Sequence, residues 1–392
     1  MKNIKDLQIS GKHLLMRVDF NVPLDDKGEI TDDTRIKGVL PTLEYALKQN
    51  AKVILCSHLG RPKGERQDKF SMAPAAARLA ELIGKKVELA QDCIGPEVEA
   101  MVAAMQPGQV ILLENLRFHA AETKNDPEFS GQLAKLAQVY VNDAFAVSHR
   151  AHASVEGVTH HMEECGAGML LQKEIDYFNR SVSNAEKPLV AILGGAKVSS
   201  KLGAIRNMLD RVDKMIIGGA MANTFLKALG HQVGSSLVEE DLLDTALELF
   251  GLAKQKGVKL YLPVDCIVAE RFAVDAATRV TTIQEVPDQW MIMDIGPASS
   301  LVFGQALADA KTIIWNGPMG AFEMEPFAPG SMAMVDNLTN SEALTIVGGG
   351  DTNVVIHKAK AADKVSYMST GGGAFLMLME GKALPGVAAL GG

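Results

Sequence analysis

The sequence predicts an α/β protein built from two doubly wound parallel-sheet domains joined by a helix. Three observations lead there. Short apolar, β-branched runs recur along the whole chain, longer amphipathic stretches separate them, and most runs stop at Gly, Asn, Asp, Ser or His. Alternation of that kind implies parallel sheets covered by helices on both faces. A chain of 392 residues with about ten strand candidates exceeds one open sheet, so two domains are expected.

The first half offers strands over 13–18, 52–56, 110–113 and 139–141, with helices over 34–49 and 72–83. Ligands of doubly wound sheets bind beyond the carboxyl ends of the strands, so the residues just past each strand bear on function. The first strand runs into Arg17-Val18-Asp19-Phe20-Asn21-Val22-Pro23 and the second into Ser57-His58-Leu59-Gly60-Arg61-Pro62. The third runs into Glu114-Asn115-Leu116-Arg117-Phe118-His119, and the fourth into Asn142-Asp143 and then Ser148-His149-Arg150-Ala151-His152. Arg35, Arg61, Arg117 and Arg150, with His58, His149 and His152, are therefore candidates for one mouth. Any one of these arginines is more simply read as a surface salt bridge. Pooled in a chain of net charge −8, they point to an anion, because a guanidinium matches phosphate or carboxylate with paired donors.

The second half offers strands over 189–193, 214–217, 258–262, 312–315, 344–347 and 365–368, and helices over 198–209, 241–256 and 353–361. Its strand exits are glycine-rich: Gly194-Gly195-Ala196-Lys197, Gly218-Gly219-Ala220, Gly348-Gly349-Gly350-Asp351-Thr352 and Gly371-Gly372-Gly373-Ala374. One such exit is only a tight strand–helix turn. Four in one half point to a nucleotide, since glycine lets backbone amides approach a phosphate and a helix N-terminus favours its charge. Lys197 and Lys201 are expected at the start of a helix, on one face, where an anion would relieve their conflict with the macrodipole. Asp351, after three glycines, suits a magnesium carboxylate or a helix N-cap. The seam between domains is expected near 166–187, where an amphipathic stretch over 169–182 precedes the polar Ser183-Asn184-Ala185-Glu186-Lys187-Pro188.

Several classes are excluded or disfavoured. The acidic total and an aromatic content of 5% argue against nucleic-acid binding through bulk charge or base stacking. The four cysteines form no CxxC pair, so reduced, buried thiols are expected. A charged N-terminus and the lack of any apolar run of about 18 residues predict neither a signal peptide nor a membrane span, and hence a cytoplasmic protein. GxxxxGK[ST], GxGxxG and the HRDLxxxN and DFG motifs are all missing, which sets aside Walker-type, dinucleotide and protein-kinase sites.

The block Arg17-Val18-Asp19-Phe20-Asn21-Val22-Pro23 resembles the signature of the phosphoglycerate kinase family. The similarity continues through Thr31–Ile36, Ser57–Pro62, Glu114–Phe118, His149–Ser154, Gly194–Val198, Asn316–Gly320, Gly348–Thr352 and Ser369–Ala374, in family order and over nearly the whole chain. The resemblance implies two Rossmann-like domains facing each other across a cleft. The first, 1–168 plus about 380–392, would bind 3-phosphoglycerate or 1,3-bisphosphoglycerate; the second, 185–379, would bind ADP or ATP with Mg2+; residues 169–184 would be the interdomain helix and hinge. Asp19, Asn21, Arg35, His58, Arg61, Arg117 and Arg150 resemble the family's phosphoglycerate ligands. Arg35 and Lys197 match its cations nearest the transferred phosphoryl, and Gly371, Gly372 and Gly373 its backbone donors there. Lys201, Asn316, Glu323, Gly349, Gly350, Asp351 and Thr352 match its nucleotide site, with Glu323 at the ribose and Asp351 at the metal. Gly195, Ala196, Gly218, Gly219 and Gly296 would flank adenine. The chain departs from the family at Ala146-Val147-Ser148, usually Gly-Thr-Ala, and at Met377, commonly Glu. A monomer is expected.

Overall fold

The computed structural model describes residues 1–392, which divide into two units: Met1–Ile175 with Ala383–Gly392, and Asp176–Lys382. The division falls inside the helix Met169–Phe178. No helix is long and apolar enough to cross a membrane.

The first unit is built on His13–Arg17 (β1), Lys52–Cys56 (β2), Val87–Leu89 (β3), Val110–Leu112 (β4), Val139–Asn142 (β5) and Glu164–Ala167 (β6). They form one parallel sheet in the order β3-β4-β2-β1-β5-β6. The middle residues of β1 and β2 are apolar, as in a parallel sheet covered on both faces, and only the first residue of each strand is even partly exposed. The helices Thr34–Lys48 and Ala73–Ile83 pack Ile36, Val39, Leu43 and Leu79 onto that sheet. The last ten residues also belong to this unit: Gly386 donates its N–H to the Ser148 carbonyl at 2.9 Å, and the Met1 amino group donates to the Gly391 carbonyl at 2.8 Å. A side chain at Gly386 would stand 2.6 Å from Val155, so only glycine allows this approach.

The second unit contains Leu189–Leu193 (β7), Lys214–Ile217 (β8), Lys259–Tyr261 (β9), Asp265–Ala269 (β10), Thr278–Thr282 (β11), Met291–Ile295 (β12), Thr312–Asn316 (β13), Leu344–Gly348 (β14) and Tyr367–Met368 (β15). Six of these make a parallel sheet in the order β15-β14-β13-β7-β8-β9, with Trp315 of β13 wholly buried at its centre. The other three form a small antiparallel sheet, β11-β10-β12.

That antiparallel sheet, and strands β3 and β6, were not among the expected elements. β3 is three half-buried residues, β6 holds a glycine and a cysteine, and most of β11 is exposed, so none reads as a buried apolar run. The helix expected over 198–209 is shorter, Leu202–Met208. Ser199 is drawn away from helical pairing: its hydroxyl donates to the Glu239 carboxylate at 2.5 Å and its N–H to the same group at 3.0 Å. Lys197 and Lys201 therefore do not share a helix face; the first is exposed and the second is buried.

Candidate functional site

In the first unit β4, β2, β1 and β5 are parallel neighbours, so their carboxyl ends lie along one sheet edge. The basic motifs extend from those ends. Arg117 comes from the short turn Leu116–Phe118 after β4, His58 and Arg61 come after β2, Asp19 and Asn21 after β1, and Arg150 lies on the loop after β5. Arg35 enters from the first turn of the helix Thr34–Lys48 and donates to the Asp19 carboxylate. Asn21 accepts the Gly60 N–H at 2.8 Å, which ties the loops after β1 and β2, and Arg117 donates to the Gly60 carbonyl at 2.8 Å.

These cations lie close enough to disturb one another. Burial first, then the charges of Arg17 and Arg150, lower the Arg117 pKa to about 10. Burial, then Arg17, Arg117, Arg35 and Arg150, push His58 well below the ordinary imidazole range, so its ring is neutral. The His152 pKa falls to about 4 from burial and then from Arg117 and Arg17. Arg117 Nε is buried with no hydrogen-bond partner. A buried guanidinium donor left unpaired among other guanidiniums is costly unless an anion receives it.

In the second unit the glycine-rich exits are stitched together. Gly194 N–H donates to the Asn316 carbonyl at 3.0 Å, Gly195 N–H to the Pro318 carbonyl at 3.0 Å, and Gly219 N–H to the Met319 carbonyl at 3.0 Å. Gly317 N–H donates to Thr352 Oγ1 at 2.7 Å, and Asn316 Nδ2 donates to the Gly348 carbonyl at 2.9 Å. Lys201 Nζ donates to the Asn316 carbonyl at 2.9 Å and also to its side-chain oxygen. Burial lowers the Lys201 pKa to about 8, against the pull of Asp351. Gly349, at φ +106°, turns the chain into the helix Gly350–Lys358, and Gly372 packs beside it, so the loops after β14 and β15 meet.

Next to these loops lies a cavity of about 420 Å³. Gly195, Ala196, Gly219, Glu323 and Asp351 line it, together with Leu226, Leu237, Pro263, Phe272, Met291 and Met293. The apolar walls and few polar groups suit a planar base with a polar tail. Gly218 and Gly296 do not line it: a side chain on the first would strike the Met319 sulfur at 2.3 Å, and on the second the Asp265 carboxylate at 2.3 Å. Their missing side chains serve packing beside the cavity. Phe272, on the loop between β10 and β11, and the methionines of β12 escaped sequence reasoning because they belong to or flank the antiparallel sheet; the apolar run Met291-Ile292-Met293 was the available signal.

A metal held by the second unit would rest on Asp351. This carboxylate is exposed, lies in the first turn of its helix, and acts on Lys201 through space without a salt bridge to it. An exposed carboxylate at the glycine-rich start of a helix fits Mg2+, a hard cation that needs few protein ligands beside water and phosphate oxygens.

A phosphoglycerate kinase family model matches residues 4–382. The chain is 60% identical over 382 residues to the phosphoglycerate kinase of Geobacter sp. strain M21, covering 97% of this chain and 96% of that protein. It belongs to the phosphoglycerate kinase family. The phosphoglycerate kinase of Desulfotalea psychrophila is also 60% identical, over the whole of both chains. Among solved structures, phosphoglycerate kinase from Coxiella burnetii superposes with a TM-score of 0.91 at 42% identity, covering 100% of this chain and 98% of that one. The Pyrococcus horikoshii OT3 enzyme gives 0.83 at 32%, with the same coverage. As a phosphoglycerate kinase the chain is a phosphotransferase with a carboxyl acceptor, 3-phosphoglycerate. Its two Rossmann-like sheets are the fold expected of the family.

Proposed function

We propose that the enzyme catalyses reversible, Mg2+-dependent phosphoryl transfer from 1,3-bisphosphoglycerate to ADP, giving 3-phosphoglycerate and ATP. The observation that carries this reading is the arginine cluster at one sheet edge, where Arg35 has a carboxylate partner in Asp19 but the buried Arg117 Nε has none. Asp19, Asn21, Arg35, His58, Arg61, Arg117 and Arg150 bind the phosphoglycerate. Asp19 and Asn21 shape the loops and orient Arg35, while the guanidiniums take the charge.

The nucleotide enters the apolar cavity of the second unit, with Glu323 at the ribose and Lys201, Asn316, Thr352 and the amides of Gly349 and Gly350 around its phosphates. Asp351 would hold Mg2+, which when bound would neutralise charge on the phosphate oxygens. Lys197 and Arg35 flank the migrating group, and Gly371, Gly372 and Gly373 offer it backbone donors.

Transfer is in line, through a loose transition state whose charge lies on the equatorial oxygens. The acceptor is an ionised oxygen in either direction, so no general base is needed, and the neutral His58 is consistent with that. Catalysis then rests on positioning and charge stabilisation. The residues assigned to the two substrates come from different units, so the reaction requires a closed state that also keeps water from acting as acceptor. The helix Met169–Phe178 and the π-helical turn Asn179–Ser183 after it are the proposed hinge.

The direct test is 3-phosphoglycerate-dependent ADP release from Mg-ATP. Turnover that needs both 3-phosphoglycerate and Mg2+, and that collapses in Lys197→Ala, is expected. ATP hydrolysis indifferent to 3-phosphoglycerate would refute the reading.

A further inference from the structure

Arg17, the last residue of β1, has no exposure at all. A guanidinium there must have its donors met inside the protein. Nε donates to Ser154 Oγ at 2.9 Å, one Nη to the Val18 carbonyl, and the other Nη lies 3.2 Å from His58 Nδ1. Ser154 passes the interaction on. Its hydroxyl donates to Glu122 Oε1 at 2.6 Å and its N–H to Glu122 Oε2 at 2.9 Å, and Glu122 is likewise fully buried. The Arg17 charge is thus balanced through a hydroxyl that can point only one way.

The direction of the last bond is equally forced. A guanidinium has donors and no acceptor, so His58 Nδ1 must offer its lone pair, and the ring proton sits on Nε2. The alternative partner, Asp19 Oδ1, is 4.0 Å from Nδ1, too far for a hydrogen bond. Arg35, Arg117 and Arg150 also oppose a second proton on the ring, and the Asp19 carboxylate is the countervailing charge beside it.

We propose that Arg17 is a positioning residue that holds His58 as the neutral Nε2–H tautomer, a hydrogen-bond donor to bound phosphoglycerate that adds no further charge to the cation cluster. The role in binding rests on the reading of His58 as a phosphoglycerate ligand; the tautomer does not. A donor without charge has two uses here. It contributes a directed bond without repelling the guanidiniums around it, and it stays constant across the pH range in which a free imidazole would switch.

The test is long-range 1H–15N correlation of the imidazole rings in the substrate-free enzyme, with His58 assigned by its loss in His58→Asn. Between about pH 5 and 8 the His58 spectrum should keep a protonated Nε2 and a bare Nδ1. A proton on Nδ1, or a ring that charges in that range, overturns the proposal without need of a variant. In Arg17→Met the tautomer preference should relax and the ring should begin to titrate. The KM for 3-phosphoglycerate should rise roughly tenfold or more while that for ATP holds, as for a lost charge-assisted hydrogen bond. Ser154→Ala, which loosens Arg17 without removing it, should move both readouts the same way by less. If the tautomer is as stated but neither Arg17→Met nor His58→Asn changes the KM for 3-phosphoglycerate, the ligand reading of His58 fails and the binding half of the proposal with it. If His58→Asn raises that KM while the tautomer is wrong, the ligand reading stands and the role of Arg17 falls.

Discussion

Lys201 and Arg117 are both displaced from their ordinary pKa values chiefly by burial, but with different consequences. Arg117, at about 10, stays charged under all ordinary conditions, so its contribution is constant. Arg117→Met should raise the KM for 3-phosphoglycerate by roughly tenfold or more and leave that for ATP within about twofold, because it removes donors from one ligand only. Equal effects on both substrates in initial-rate kinetics would refute that assignment. Lys201, at about 8, does titrate. A phosphate needs the ammonium form, so kcat/KM for Mg-ATP should bend downward above about pH 8 in wild type, and the bend should vanish in Lys201→Met. The effect on folding has the opposite sign. Between the folded value of about 8 and the unfolded value of 10.5 the unfolded chain binds more protons, so the Lys201 contribution to stability improves as pH rises through that window. Denaturant melts of wild type and Lys201→Met across it separate the two effects.

Among the elements, the helix Gly350–Lys358 shows two neighbouring glycines with different tasks. Gly349 precedes it at φ +106°, where an L side chain is strained, whereas a side chain at Gly350 would meet open space. Gly349→Ala should therefore cost about 1–2 kcal/mol of stability. Gly350→Ala should keep the thermal midpoint or raise it slightly, since alanine favours a helix by up to about 1 kcal/mol, and yet raise the KM for Mg-ATP several-fold by holding the phosphates off the backbone. An unchanged KM in Gly350→Ala would remove that helix start from the phosphate site. The same contrast explains what was legible in the sequence. Strand exits are local: apart from Arg35, the arginines and glycines follow soon after their strands, so the edge of each sheet on which they gather could be anticipated from spacing. The bond from Arg17 to Ser154 spans 137 residues and leaves no mark in either neighbourhood. The helix starts at Leu202 rather than Val198 for a related reason: Val198 and Ile205 keep an apolar face in sequence, while Glu239, forty residues on from Ser199, captures it. Apolar walls from the antiparallel sheet were hidden too, since its edge strand β11 is largely exposed and its centre β10 carries a polar first residue.

At the scale of the whole molecule, the proposed reaction shares one phosphoryl group between two sets of ligands. The arginines belong to the unit Met1–Ile175 with Ala383–Gly392, and the glycine loops with Lys197 and Lys201 to Asp176–Lys382. A single in-line step needs donor, acceptor and stabilising cations within bonding reach together, so it needs the closed state proposed above. Two consequences can be measured. Arg35→Ala and Lys197→Ala should each lower kcat by roughly 10²–10³, the loss of one preorganised donor at the transition state, although the two residues lie in different units. A rate within about threefold of wild type for either would remove that residue from the transfer step. Closure itself should appear in small-angle X-ray scattering as a fall in the radius of gyration when 3-phosphoglycerate and Mg-nucleotide are both bound, with a smaller fall for either alone, because each ligand meets only part of the differential contact that drives a hinge. A substitution that stiffens the π-helical turn Asn179–Ser183 should then slow turnover while leaving each substrate's separate binding affinity near wild type. If the ternary complex forms, as calorimetry can establish, and the scattering curve does not contract, transfer must occur without domain closure and the hinge assignment is wrong.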